Sequence, residues 1–422
     1  MRTLFISETL PYPPTNGRKQ RVLHLLRGVA RASDVTLLSF MQSEDTTDSA
    51  VPLRKYCDEI HLLPRKAWGN GGSTKVAKPW IWGQSLLEYL HPTVPAQLRW
   101  YNSPAGARLI NRLCSESFDL IWIERLSLMA FLPKPLDCRV IVDLDDLEHR
   151  KLAHRLRHGE WDRLLPFRYL EFLKFRRLER NLRNLPYEFV VCSEVDRKFF
   201  GGNKRVSVVP NGFEQRPACP CRRAVGRPPI FLFVGTMCYE PNVDAARFFA
   251  TAILPLIRRH EPTAQFLIVG HDPTESVREL KSIPGVDVTG TVASVESYLR
   301  EATVFVAPIR FGGGTRIKIL EAMAHGKAVV STTVGAEGLE VESGKHLLLA
   351  DSPAAFAESC LLLLNDAVLR ARISEEGYSL MNRQYTWDRI EGYVEDIVRA
   401  GSIVGKTRPA REGDSKCFTL SQ

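Results

Sequence analysis

The residues best suited to chemistry lie in one run, Val304–Ala324 (VFVAPIRFGGGTRIKILEAMA). An apolar stretch ends at Pro308, and glycines follow at 312, 313 and 314. A helical pattern opens near Thr315, with Ile317, Leu320 and Ala324 on its buried face. A glycine loop between strand and helix lets backbone amides approach a phosphate, which the positive end of the helix dipole also attracts. Arg316 and Lys318 fall in the expected first turn, where each cation opposes the dipole by about 0.3–1 kcal/mol. A bound anion reverses that penalty. Glu321 lies one turn further on, either as a partner for Lys318 or as an acceptor for a sugar diol beside the phosphates.

Other candidates are more scattered. Asp143-Leu144-Asp145-Asp146 closes an apolar strand and has the Asp-x-Asp spacing of some metal sites, although strand-end aspartates more commonly cap the next helix. His271 follows Gly270 at a strand end and is a candidate to face a nucleotide. His154 and His158 are four apart but have no evident third ligand, so they read as solvated. Asn211-Gly212 suits a turn with positive φ. The nine cysteines are odd in number and include no Cys-x-x-Cys, which fits structural thiols in a reducing cytoplasm.

These residues need a scaffold, and apolar runs alternating with helical patterns supply it. Strands are expected at Thr3–Ile6, Val35–Phe40, Ile60–Leu63, Leu120–Ile123, Val140–Val142 and Phe189–Cys192. A second series runs Ile230–Val234, Gln265–Val269, Val286–Thr289, Val304–Ala307 and Ala328–Ser331, with one helix over Val243–Ile257. Near-continuous apolar strands separated by helices indicate parallel sheets covered on both faces. Residues 66–80 read as a surface loop and Cys219–Pro229 as a linker. The 422 residues suit two domains, and no run approaches the ~20 apolar residues of a membrane span.

The net charge of +9 is unevenly spread: residues 1–227 hold 37 Lys and Arg against 24 Asp and Glu, and residues 228–422 hold 20 against 24. Arg150–Arg183 alone has eleven basic and four acidic residues, interleaved with Trp161, Phe167, Tyr169 and Phe172. It reads as basic amphipathic helix, either packed as an ordinary solvated face or touching anionic lipid. No nucleic-acid module accompanies it, so nucleic acid is not an expected partner.

The runs KILEAMAHGKAVVSTTVGAEGLEV, VVPNGFE at 208–214 and FVGTM at 233–237 resemble the retaining family-4 glycosyltransferases of GT-B type. PYPPTNGRKQRVLHLL and YEPNVDAARFF are similar to a branch associated with cell-surface polysaccharide assembly. The resemblance implies an α/β fold of two doubly wound Rossmann-like domains facing a central cleft. Residues 1–215 would bind the acceptor, with a C-terminal helix, 387–400, packed back on them. Residues 216–386 would bind the nucleotide sugar, and 401–422 would be a disordered tail.

Carried over residue by residue, Glu321 matches the second family glutamate, at the ribose, while Gly313 stands where the first would contact the donor sugar. Thr236, after Gly235, and Pro241 replace the family's diphosphate-binding Arg and Lys, so Arg316 and Lys318 are expected to neutralise the leaving group. Asp145, or Asp146 in the alternative register, takes the place of the N-lobe His. The resemblance also implies that Gly17, Val292 and the amides of Gly313, Gly314 and Thr315 line the substrate site.

The implied reaction is transfer from a nucleotide-diphosphate sugar to a glycan or lipid-linked acceptor, with retention at the anomeric carbon. No metal and no further cofactor are expected. Two rival readings are a sugar-nucleotide epimerase of the same fold and a non-catalytic nucleotide-binding scaffold. The expected location is cytoplasmic, or peripheral on the inner face of the plasma membrane through residues 150–183.

Overall fold

The computed structural model describes residues 1–42, 45–64, 91, 93–99, 104–133, 136–158, 165–201, 205–217, 227–313 and 316–402. The expected loop at 66–80, most of the linker at 219–229, Gly314, Thr315 and the tail from 403 onward lie outside these residues. The chain divides into two compact units, one formed by Met1–Leu156, Glu160–Val209 and Ile390–Gln422, the other by Arg157–Gly159 and Pro210–Arg389.

The first unit is built on a seven-stranded sheet ordered β3-β2-β1-β4-β5-β6-β7, with every pair parallel. Its strands are β1 (Arg2–Ser7), β2 (Asp34–Met41), β3 (Glu59–Pro64), β4 (Leu120–Glu124), β5 (Arg139–Asp145), β6 (Glu188–Val191) and β7 (Val206–Val208). β1, β2, β4 and β5 are buried almost throughout, which is why they read as unbroken apolar runs rather than alternating ones. Asn16 caps α1 (Gly17–Ala30), its side chain accepting from the Lys19 N–H at 3.0 Å. Gly17 is therefore the first residue of α1. α2 (Glu148–His158) follows β5, and α3 (Leu165–Leu182) supplies the longest basic helix of this unit. Phe175 and Leu182 of α3 are buried, whereas Tyr169, Leu173, Arg176, Arg177 and Arg180 are exposed.

The second unit holds a six-stranded parallel sheet ordered β10-β9-β8-β11-β12-β13. Its strands are β8 (Ile230–Val234), β9 (Gln265–Val269), β10 (Val286–Val288), β11 (Val304–Ala307), β12 (Val329–Ser331) and β13 (Leu348–Leu349). The single helix expected over Val243–Ile257 is interrupted. α4 (Glu240–Phe248) gives way to a π-turn at Phe249–Ile253 before α5 (Leu254–Arg258) resumes. Pro255 has no N–H to offer the helical ladder, and the Leu254 N–H reaches back to the Phe249 carbonyl instead. α6 (Ile317–Ala324) begins two residues later than expected and buries Ile319, Leu320, Met323 and Ala324.

The final helix, α7 (Trp387–Ser402), continues two residues beyond the expected end at Ala400. From Ile390 onward it belongs to the first unit, where Glu391 is 2% exposed and meets His24, Arg27 and Arg31 of α1 and its C-cap at 2.5–3.0 Å. Gly28 permits this packing. A Cβ there would stand 2.7 Å from the Val394 Cβ and 2.8 Å from the Glu391 carbonyl oxygen.

Both sheets have the doubly wound order in which the chain reverses direction beside its first strand, between β1 and β4 and between β8 and β11. Ligands of such sheets bind beyond the carboxyl ends of the strands at that switch point.

Candidate functional site

In the second unit, the loops after β8, β9 and β11 meet at the switch point. Gly235 N–H donates to the Val269 carbonyl at 3.0 Å, and Met237 N–H to the His271 carbonyl at 2.8 Å. A Cβ on Gly270 (φ +159°) would lie 1.6 Å from the Gly235 carbonyl oxygen, so only glycine allows these backbones to approach. Gly235 is similarly constrained: a Cβ would come within 2.6 Å of Asn242 Nδ2 and 2.9 Å of Lys318 Nζ.

Lys318 extends from α6 to this loop. Its ammonium donates to Asn242 Oδ1 at 2.6 Å and lies 4.3 Å from the centre of the Phe233 ring. Asn242 Nδ2 in turn donates to the Thr236 carbonyl at 2.9 Å. Of the two readings of Glu321, the partner of Lys318 is not the one seen: among the described residues no ion pair joins them. Burial, with Arg316 beside it, lowers the Lys318 ammonium to about 7 against the opposing pull of Glu321. Burial raises the Glu321 carboxyl to about 7 despite Lys318 and Arg216. The two groups thus exchange charge near neutrality.

Arg316 departs from its expected place in the first helical turn. It is the N-cap of α6, with ψ of 87°, and its Nη1 turns back to donate to the Gly313 carbonyl at 2.5 Å. That contact folds the guanidinium under the glycine loop, and Gly312 (φ +120°) is open enough to admit it. The side chain is 7% exposed. The structure therefore gathers Gly235, Thr236, His271, Gly313, Arg316 and Lys318 at one switch point, with Glu321 one turn along α6. Val292 is half-buried and packs on the core cluster that contains Val234, Val269 and Leu299.

In the first unit, charged side chains converge at the ends of β1, β4 and β5. Glu8, Arg18, Glu124 and Arg125 form one ion network, in which Arg18 pairs with both Glu8 and Glu124. Arg21 binds both oxygens of Asp143 at 2.7 and 3.0 Å. Asp145 (φ +57°) lies 3.5 Å from Arg21 Nε and 3.4 Å from Arg125 Nη2, and accepts from the Cys192 thiol at 3.1 Å. Burial alone would raise the Asp145 carboxyl, but Arg21, Arg125 and Lys151 outweigh it and hold it well below the usual carboxylate range. Its neighbour is pushed the opposite way: burial raises Asp146 despite Lys151 at 3.0 Å. Asp146 Oδ1 has no hydrogen-bond partner among the described residues.

Asp145, Asp146 and Cys192 bring their ligand atoms within 4.8 Å of one another. Their chemistry suits a metal poorly. Two guanidiniums already neutralise Asp145, and burial pushes the Cys192 thiol far from its metal-binding thiolate form. The Asp-x-Asp pair is likewise committed to arginines through both Asp143 and Asp145.

A family described as Glycosyl transferases group 1 matches residues 228–366. That segment holds β8 to β13, the glycine loop and α6. Residues 228–366 of the second unit are thus similar to a group 1 glycosyl transferase domain. A phosphatidyl-myo-inositol mannosyltransferase of Mycobacterium tuberculosis is 29% identical over 217 residues, covering 46% of this chain and 55% of that protein. The match thus spans about half the length of the relative. Solved structures agree on the fold: sucrose-phosphate synthase from Thermosynechococcus elongatus aligns with a TM-score of 0.66 at 15% identity, over 96% of this chain and 100% of that one. The HepE protein of Anabaena in complex with UDP aligns at 0.63 and 13% identity, over 95% and 100%. The chain has the GT-B fold of these proteins.

Within this matched segment, reading the sequence missed Asn242 and Asp272. Asn242 sits in the Tyr239–Asn242 run and bridges Lys318 to the loop after β8. Asp272, at the next strand end, accepts from His271 or shares its proton at 2.9 Å. In the first unit the buried Glu8–Arg18–Glu124–Arg125 network was also missed. Glu8, Glu124 and Arg125 are charged residues at the ends of apolar strands, a position that is itself a usable signal, and Arg18 reaches them from the first turn of α1.

Proposed function

We propose that the protein is a retaining glycosyltransferase that takes a sugar from a nucleotide-diphosphate donor bound at the switch point of the second unit. The observation carrying this reading is the convergence of Lys318, Arg316 and the Gly312–Gly313 backbone beside the loop after β8, inside a group 1 glycosyl transferase domain. Breaking the bond between the anomeric carbon and the diphosphate requires charge stabilisation on the departing oxygens. Lys318 and Arg316 supply two cations, held in place by Asn242 and the Gly313 carbonyl. In this reading they do the work without a metal ion, and Glu321 accepts from the ribose diol.

Asp145 is occupied by two arginines and a thiol, so Asp146 is the better hydroxyl-binding carboxylate of the pair. The acceptor is proposed to be a lipid-linked glycan of cell-surface polysaccharide assembly. The exposed face of α3 supports that part: Tyr169 and Leu173 are 54% and 42% exposed, in line with Arg176, Arg177 and Arg180. Aromatic and leucine side chains beside arginines suit an anionic headgroup layer.

The donor site is tested by titrating UDP and GDP into the protein. Arg316→Ala and Lys318→Ala are each expected to weaken binding about 10- to 100-fold, the worth of a charged hydrogen bond. Unchanged affinity in both would remove the site, and turnover that vanishes in EDTA would remove the metal-free mechanism. Co-sedimentation with anionic vesicles, but not neutral ones, is expected to fall with added salt and with Arg176→Glu/Arg180→Glu. Equal indifference to both vesicle types would return α3 to an ordinary solvated face.

A further inference from the structure

Thr236 is tied on two sides. Its carbonyl accepts from Asn242, which holds Lys318, while its hydroxyl lies 2.9 Å from His271 Nε2. His271 Nδ1 lies 2.9 Å from Asp272 Oδ2. Backbone geometry fixes this Asp–His–Thr line, because the Met237–His271 bond and the close approach of Gly270 to Gly235 lock the two loops together. Asp272 holds a left-handed conformation (φ +54°), which Asp adopts more readily than most residues with a side chain.

The line can exist in two hydrogen-bonding senses. An ionised carboxylate only accepts, so Nδ1 carries a proton. With a neutral ring, Nε2 must accept from the Thr236 hydroxyl, and Thr236 offers the crevice only lone pairs. With a cationic ring, Nε2–H donates to Thr236 Oγ1, and the hydroxyl proton is released to turn outward. The residue thus changes from acceptor to donor when one proton arrives 2.9 Å away.

We propose that Thr236, His271 and Asp272 form a proton-gated phosphate contact: an entering diphosphate draws a proton onto His271, and the Thr236 hydroxyl turns to donate to a phosphate oxygen. This rests on the nucleotide-binding reading of the crevice. The charged groups on the surrounding elements are Asp272 on the same loop, Arg316 and Lys318 at the start of α6, and Glu240 at the start of α4. Glu275 and Arg278, on the turn packed against α4, pair with each other at 3.5 Å. A threonine hydroxyl donates to a phosphate only when its proton is not held by another acceptor. The relay gives it a cation's backing only when the ligand is present.

The test is calorimetric titration of UDP and GDP in two buffers of different ionisation enthalpy, which reads the protons taken up on binding. Wild type is expected to take up more protons than His271→Gln. The difference isolates the relay from any proton taken by Lys318. His271→Gln and Thr236→Val are each expected to bind about 5- to 10-fold more weakly, with an unchanged melting temperature because His271 is 46% exposed. Nitrogen-15 shifts of the His271 ring, expected to move to the doubly protonated pattern on saturation, provide a second readout in the unmutated protein. Equal affinity and equal proton uptake in wild type and His271→Gln would overturn the relay alone. No binding of either nucleotide to wild type would overturn the crevice reading and this proposal together.

Discussion

Lys318 and Glu321 set the charge of the proposed donor crevice within one pH unit of neutrality. Lys318 falls from its ordinary value of 10.5 to about 7, so it is a cation below that pH and increasingly neutral above it. Glu321 rises from 4.5 to about 7, so it is neutral below and an anion above. Both changes remove positive charge as pH rises. Nucleoside diphosphate affinity is therefore expected to fall steadily between pH 6 and 8, and the fall should be shallower in Lys318→Met/Glu321→Gln, where only the His271 relay still takes up a proton. Flat affinity in the unmutated protein would show that neither group senses the ligand. At this scale the sequence was informative where chemistry was contiguous: Arg316, Lys318 and Glu321 sit beside a glycine run and declare themselves. Asn242 and Asp272 did not, because their roles depend on loops 30 or more residues apart meeting at one strand end.

At the scale of elements, the donor site depends on how closely the loops after β8 and β9 can approach. Gly270→Ala places a methyl group 1.6 Å from the Gly235 carbonyl oxygen, an overlap that only backbone movement can relieve. The two loops should separate, Thr236 and His271 should lose contact, and UDP or GDP binding should drop at least 10-fold. Gly290→Ala serves as the control, since a Cβ there meets nothing within 4 Å and carries only the conformational cost of its φ of +76°. Equal binding in Gly270→Ala and wild type would show the loops to be slack. Buried parallel strands were legible because both faces are covered and their apolar runs are unbroken. β7 and β13, three and two residues long, were missed. The helix over 240–258 was legible as one element, but its π-turn was not, since that rests on a single missing N–H at Pro255.

At the scale of the molecule, the first unit is discontinuous in sequence. Its strands end at Val208, yet Glu391 returns to satisfy His24, Arg27 and Arg31. Glu391→Ala would leave Arg27, Arg31 and the His24 ring around a buried gap and is expected to cost on the order of 3 kcal/mol, read by urea unfolding. A change below about 0.5 kcal/mol would mean that the arginines, each about one-third exposed, simply rehydrate. This threading has a consequence for synthesis. Residues 210–389 leave the ribosome as one uninterrupted block, so the donor-binding unit can fold during translation. The first unit emerges earlier but must wait, with the packing surface around Gly28 uncovered, until Ile390–Ser402 has been made. The half of the protein that is translated first is therefore the half that finishes last, and the interval between them is when a chaperone would find it.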